Sequence, residues 1–392
     1  MNGENVIILS SDDWSSGLKT SKYHIAKQLA RGNRVLFVNS VGLRSPGANT
    51  RDLGRAFRKL AAFFKGARSV PEGLHVYTPV VIPFRRGSPL VKALNGTLLR
   101  WTLRWLRLRL GMKRPVVFAF IPTFNDLLGS MDEKAVVYYC IDDLRGYAGV
   151  DPDWFDREED RLLERACCVI SSARELHETF DERGCRAYYV PHGVDWTLFR
   201  KAVAEELPEP ADLKDIPHPR LGFYGFLSDE WVDYSLLKRM AKERPDWHIV
   251  LIGRPRAGMD MAALTPEPNI HFLGLKPFAE LPAYTRHFDV GLVPFCRNKL
   301  TQHSNPLKLL EYLSGGLPVV TTDIPETRVY RDAVHIAESH EEFIALCEKA
   351  LGEGDATARR QRSDQAREHS WERRMETISG IVAEASNGHA LR

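Results

Sequence analysis

The sequence predicts an α/β chain built of two doubly wound, mainly parallel-sheet domains in tandem. Three observations carry this. Short apolar runs without polar alternation, as expected for strands covered on both faces, alternate with segments of helical spacing. That alternation runs twice, before and after a stretch rich in proline and acid. The length of 392 residues suits two cores better than one.

Residues 5–10 (Asn-Val-Ile-Ile-Leu-Ser) read as the first strand, with no basic segment ahead of them to suggest a signal peptide. A polar loop over 11–21 contains Gly17, followed by a helix over 21–30 and a strand over 34–41. Strand, loop, helix, strand is a βαβ opening. It lacks G-x-G-x-x-G, so a dinucleotide fingerprint is not supported. Gly17 stands past the C-terminal end of the first strand, where such sheets bind ligands, although an ordinary turn glycine explains it equally well.

The next stretch is strongly basic. Fifteen Lys and Arg face two acids between Arg51 and Arg114, giving +13 there and leaving −10 for the rest of a chain whose net charge is +3. Leu53, Phe57, Leu60 and Phe64 share one helical face, with Arg51, Arg55, Arg58, Lys59 and Lys65 opposite. Residues 98–114 repeat the theme: Arg100, Arg104 and Arg107 form a narrow basic stripe beside Trp101, Trp105 and leucines. Both segments suit an interface with anionic lipid. Nucleic acid is the weaker reading, because the apolar faces are too rich for phosphate-backbone binding. No run of eighteen apolar residues is present to span a bilayer.

Strands over 115–120 and 135–140 follow. The second leads into Asp142 and Asp143, two acids just past a strand's C-terminal end. Paired carboxylates there can supply a general base, whereas Asp is also common in turns and caps. A helix over 153–165 and strands over 168–172 and 187–190 complete a first domain at 1–195. It closes on Pro191-His192-Gly193-Val194-Asp195. Residues 196–219 read as the interdomain linker. Strand–helix alternation then restarts over 220–392, with Gly225 after one strand and Arg254 after the next. The six cysteines show no C-x-x-C spacing, and the simplest account is a reduced protein without a structural metal.

The functional centre is 303–323. Ser304, Asn305 and Pro306 read as a capped helix start, and Leu307, Leu309, Leu310 and Leu313 as its apolar face. Gly315-Gly316 ends the helix, and a short buried strand begins at Leu317. Lys308 near the helix N-terminus suits a phosphate. Glu311, one turn deeper, can accept two hydrogen bonds from a ribose diol. A solvated i, i+3 salt bridge is the plain alternative.

Pro306-Leu307-Lys308-Leu309-Leu310-Glu311-Tyr312-Leu313 followed by Gly316-Leu317-Pro318-Val319-Val320 resembles the donor-site motif of GT-B glycosyltransferases, nearest to the retaining family-4 enzymes that build bacterial surface polysaccharides. Tyr138-Tyr139-Cys140-Ile141-Asp142-Asp143 is similar to a second segment of that group. The resemblance implies a GT-B fold of two facing Rossmann-like domains with a cleft between them, in which a terminal helix, from about residue 356, crosses back to the first domain. It implies a nucleotide-sugar donor, held by Gly17, Gly225, Arg254, His303, Ser304, Asn305, Pro306, Leu307, Lys308 and Glu311. It implies Glu311 on the ribose, Lys308 on the diphosphate, Asp142 or Asp143 as a base if the reaction inverts, and no metal or other cofactor. Two departures stand out. His303 occupies a position where a second glutamate is usual. Phe226 and Trp231 stand where many members carry Arg and Lys. The acceptor is expected to be lipid-linked or saccharide, at the cytoplasmic face of a membrane. A nucleotide-sugar 2-epimerase of the same fold and a non-catalytic membrane-docked binding partner are the competing classes.

Overall fold

The structure is a computed structural model, and it describes residues 1–16, 19–40, 66–79, 89–146, 150–264 and 266–388. The chain divides into two compact units. The first comprises Met1–Ser16, Thr20–Val190 and Met375–Arg392, and the body of the second is Pro191–Arg374.

Among the described residues the first unit carries an eight-stranded sheet. Its strands are β1 (Asn5–Leu9), β2 (Arg34–Val38), β3 (Arg68–Ser69), β4 (His75–Tyr77), β5 (Val116–Ala119), β6 (Ala135–Cys140), β7 (Cys168–Ser171) and β8 (Ala187–Tyr189). They lie in the order β3-β4-β2-β1-β5-β6-β7-β8. All pairs are parallel except β3 with β4. Val6 to Leu9, Val116 to Ala119 and all of β6 are buried, as expected for strands covered on both faces. The two short strands β3 and β4 have no apolar run that periodicity alone would flag.

The helix Pro89–Arg109 begins nine residues before the expected 98. Leu99, Leu103 and Leu106 face the core. Its arginines do not form the free outward stripe expected of them. Arg104 Nε donates to the Ser130 carbonyl at 2.7 Å. Arg107, expected to face a membrane, is turned inward: it donates to the Met131 carbonyl at 2.6 Å and pairs with Asp132 at 3.2 Å. Carbonyls of the facing loop at 130–132 hold both groups, with Arg107 largely covered and Arg104 still exposed. Arg100 bonds Thr97 on its own helix. Leu53, Phe57, Leu60, Phe64 and Gly17 lie outside the described residues.

The second unit carries a parallel sheet that shows six strands among the described residues, in the order β11-β10-β9-β12-β13-β14. These are β9 (Arg220–Leu227), β10 (His248–Pro255), β11 (Ile270–Phe272), β12 (Val290–Val293), β13 (Val319–Thr322) and β14 (His335–Ala337). Gly253 and Gly225 face each other across β9 and β10. A Cβ on Gly253, whose φ is +154°, would stand 1.9 Å from the Gly225 carbonyl oxygen. Only glycine allows that approach.

Residues 196–219 are not a free linker. They form helices Trp196–Phe199 and Lys201–Ala204, they bury Phe199, Leu213 and Ile216 in the second core, and Ala202 is buried as well. Burial of four apolar side chains outweighs the extended preference of the local prolines. Replacing Phe199 by Ala is expected to destabilise the protein by about 3–5 kcal/mol, read by urea unfolding, where a linker position would cost close to nothing.

Candidate functional site

The helix Leu307–Ser314 buries Leu309, Leu310, Tyr312 and Leu313 against the second sheet. Tyr312 is the anchor. Its hydroxyl accepts from the Tyr224 backbone N–H at 2.9 Å, and the two rings meet edge-to-face at 4.6 Å. Gly315 caps the helix with φ −80°, and Gly316 takes the left-handed conformation, φ +79°, that the end requires. The helix start differs from the expectation. Pro306 is the N-cap residue, and no side chain caps it. Asn305 instead donates its amide to Glu326 Oε2 at 2.8 Å, both residues being buried. A buried carboxylate left without a donor is costly, and the Asn305 amide supplies one to Glu326.

Lys308 and Glu311 pair at 3.0 Å. This is not the solvated pair of the plain alternative: the Glu311 side chain is 3% exposed and that of Lys308 19%. Burial pushes the Glu311 carboxyl up, Lys308 opposes that push, and the charge of Asp195 adds to it. Lys308 Nζ also lies 5.3 Å from the centroid of the Tyr224 ring. A Cβ on Gly225 would stand 3.9 Å from Lys308 Cε. Lys308, Glu311, Gly225, Tyr224 and Asp195 therefore form one group.

The remaining predicted residues of the second unit divide between the approach to that helix and strand β10. Ser304 and Asn305 are buried, His303 is half-buried, and Arg254 is exposed on β10 in register with Phe226. Phe226 is exposed, whereas Trp231 packs on Phe295 at 5.6 Å. Tyr224, Asp195 and Glu326 were not singled out as site residues from sequence. Asp195 closes the pentad at 191–195, Tyr224 lies within β9, and Glu326 follows β13.

A second cluster lies in the first unit, at the C-terminal edge of its parallel sheet. Asp12 follows β1 and accepts from Thr20 at 2.8 Å and from Lys22 at 3.1 Å. Lys22, on helix Ser21–Ala30, is 7% exposed. Asp143 is held by Arg145 at 2.7 Å. Asp142 is half-buried, and its carboxyl is pushed up to about 6. Burial is the main cause. Lys22 pulls the other way, and Asp12 and Asp143 add to the rise. Burial also works to raise Asp12, but Lys22 and the Thr20 bond outweigh it and hold Asp12 below the usual carboxylate range. Of the two acids, Asp142 is the one poised to exchange a proton near neutral pH.

Comparison with known proteins follows this division. Residues 218–353 match the family described as Glycosyl transferases group 1. A Bacillus subtilis (strain 168) protein described as "Putative teichuronic acid biosynthesis glycosyltransferase TuaH" is 30% identical over 222 residues, which are 54% of this chain and 55% of that protein. The chain thus spans about half the length of this relative. Sucrose-phosphate synthase from Thermosynechococcus elongatus superposes with a TM-score of 0.69 at 13% identity, covering 98% of this chain and 100% of that one. Anabaena HepE, solved with UDP and glucose, superposes with a TM-score of 0.65 at 14% identity, covering 97% and 100%. Escherichia coli trehalose-6-phosphate protein, bound with UDP-2-fluoro glucose, gives 0.64 at 12%, covering 98% and 99%. The fold is the two-domain GT-B fold of these structures.

Raised above its unfolded value, the Asp142 pKa favours the protonated folded state. Its contribution to stability is complete below the unfolded pKa, near 3.8, and is lost as pH rises through about 6. Carboxyl-carbon NMR should place its midpoint near 6. Asp12→Asn should lower that midpoint and Lys22→Met raise it.

Proposed function

We infer that this chain, whose residues 218–353 form a glycosyl transferases group 1 domain, is a glycosyltransferase of surface polysaccharide synthesis. In this reading it takes a nucleoside-diphosphate sugar as donor and passes the sugar to a lipid-linked or saccharide acceptor, peripherally at the cytoplasmic face of a membrane. The observation that carries it is the Lys308–Glu311 pair, a half-buried cation and a buried carboxylate one turn apart at the start of a helix inside that domain. The UDP and glucose in the Anabaena structure support a nucleotide-sugar donor, and the Bacillus relative supports a polysaccharide product.

The chemistry follows from the charges. The bond from sugar C1 to the diphosphate breaks, and the leaving group takes the electron pair. The acceptor hydroxyl oxygen bonds to C1 and gives up its proton to an oxygen of the departing diphosphate. Lys308 and the first amides of its helix meet the charge that grows on the departing diphosphate. Glu311 accepts from the ribose hydroxyls, exchanging one buried partner for another. These groups supply the neutralisation, so the reading needs no metal or other cofactor. Retention at C1 is the outcome proposed. For inversion Asp142 is the better base, since Arg145 already holds Asp143.

Thermal unfolding with UDP, GDP and ADP tests the donor. One of them should raise the midpoint, by the equivalent of about 2.7 kcal/mol at a hundredfold excess over its dissociation constant. Lys308→Ala should lower turnover by about 10²–10³-fold. Stabilisation by none of the three would count against the reading. Conversion of donor without any acceptor would mark an epimerase instead.

A further inference from the structure

The face of helix Pro89–Arg109 that looks away from the core is not explained by donor chemistry. Leu90, Leu94, Leu98, Trp101, Trp105 and Leu108 recur at i, i+4, i+8, i+11, i+15 and i+18. That spacing puts all six on one stripe, opposite Leu99, Leu103 and Leu106. They are 36% to 78% exposed. Single exposed leucines are ordinary, but a continuous stripe of six large apolar side chains, two of them tryptophan, marks an interaction surface.

The stripe ends against a concentration of positive charge. Beyond Leu108, an open concavity of about 750 Å³ is lined by Arg31, Arg34, His75 and Lys113, among others. The two features are joined through the backbone. The Gly111 N–H donates to the Leu108 carbonyl at 3.0 Å, and Arg34 donates to the Gly111 carbonyl at 3.0 Å. The one acid in the concavity, Glu4, is already paired with Lys134 at 2.6 Å. Arg109 lies over the Trp105 ring at 5.1 Å, so a cation also borders the stripe.

We propose that this face docks on an anionic lipid bilayer, with the six-residue stripe in the interface and a lipid phosphate in the Arg31–Arg34–Lys113 concavity. The proposal rests on the membrane reading above and names its surface. Charge selects the occupant. A second copy packed two-fold on the same face would set Arg109 and the Arg31–Arg34–Lys113 cluster against their own counterparts. A bilayer carrying anionic lipid supplies the opposite sign and an apolar layer together. Tryptophan is suited to that boundary, with an apolar body and one N–H for the headgroups. The apolar stripe, rather than the arginines at 104 and 107, makes the contact, because those two guanidinium groups are bonded to the loop at 130–132.

Flotation of the full chain with vesicles of phosphatidylcholine, with and without phosphatidylglycerol, tests this. The wild type should float with the anionic vesicles and release as salt is raised. Trp101→Ser/Trp105→Ser should weaken partitioning at least about tenfold. Arg31→Glu/Lys113→Glu should do the same and erase the preference for phosphatidylglycerol. Both variants change exposed side chains, and unfolding midpoints equal to wild type confirm their folding. Flotation that neither variant alters would overturn this surface and leave the membrane reading standing on another segment. No flotation of the wild type would overturn both. A wild-type dimer that the tryptophan variant turns into a monomer would assign the stripe to a second copy and overturn the proposal. Nucleotide stabilisation, measured without vesicles, reports on the donor site separately.

Discussion

A half-buried lysine and a buried glutamate one turn apart are expensive to keep. Each loses hydration worth several kcal/mol, and their mutual attraction repays that only in part. Lys308 and Glu311 bear this cost at 3.0 Å on a helix that buries Leu309, Leu310, Tyr312 and Leu313. A solvent-facing pair would serve stability as well and cost less. The expense is reasonable if the pair is a placeholder: each group satisfies the other until a ligand with an anionic and a hydroxylic end takes over both. Tyr312 fixes the helix to β9, and Gly225 leaves room beside the lysine stem. The rest of the second unit holds that helix start in place.

The two units use the same device for different chemistry. In each, parallel strands end on one edge, and charged groups from separate parts of the chain collect there. In the second unit the collection is a cation, a carboxylate and an aromatic face, which suits an anion with a sugar attached. In the first it is Asp12 and Asp142 beside Lys22, with Asp143 held by Arg145, an arrangement that spreads the proton affinities of Asp12 and Asp142. Asp12 is held low by its lysine, while Asp142 is pushed up to about 6. Acid–base assignments come from such splitting.

Legibility from sequence followed the range of the interactions. Helix Leu307–Ser314 was readable because its period, its glycine end and the next strand all lie within twenty residues. The alternation of strands and helices was readable for the same reason. Asn305 was misread as a cap, because its partner Glu326 comes twenty-one residues later, after a strand. Asp12, Lys22 and Asp142 meet only because β1 and β6 lie two places apart in the sheet, which spacing along the chain does not show. The arginines of helix Pro89–Arg109 were assigned outward by helical phase alone. Two of them meet carbonyls on the loop at 130–132, and the outward face carries an apolar stripe beside the exposed Arg104. The segment 196–219 looked like a linker by composition, yet its few apolar residues fill the second core.

The central claim is that the Lys308–Glu311 pair opens to grip a nucleoside diphosphate. A crystal structure grown with the nucleoside diphosphate that stabilises the protein most tests it directly. The account predicts diphosphate oxygens about 3 Å from Lys308 Nζ and ribose hydroxyls bonded to Glu311, with the 3.0 Å ion pair broken or shared. A nucleotide bound elsewhere, with that pair intact, would contradict it.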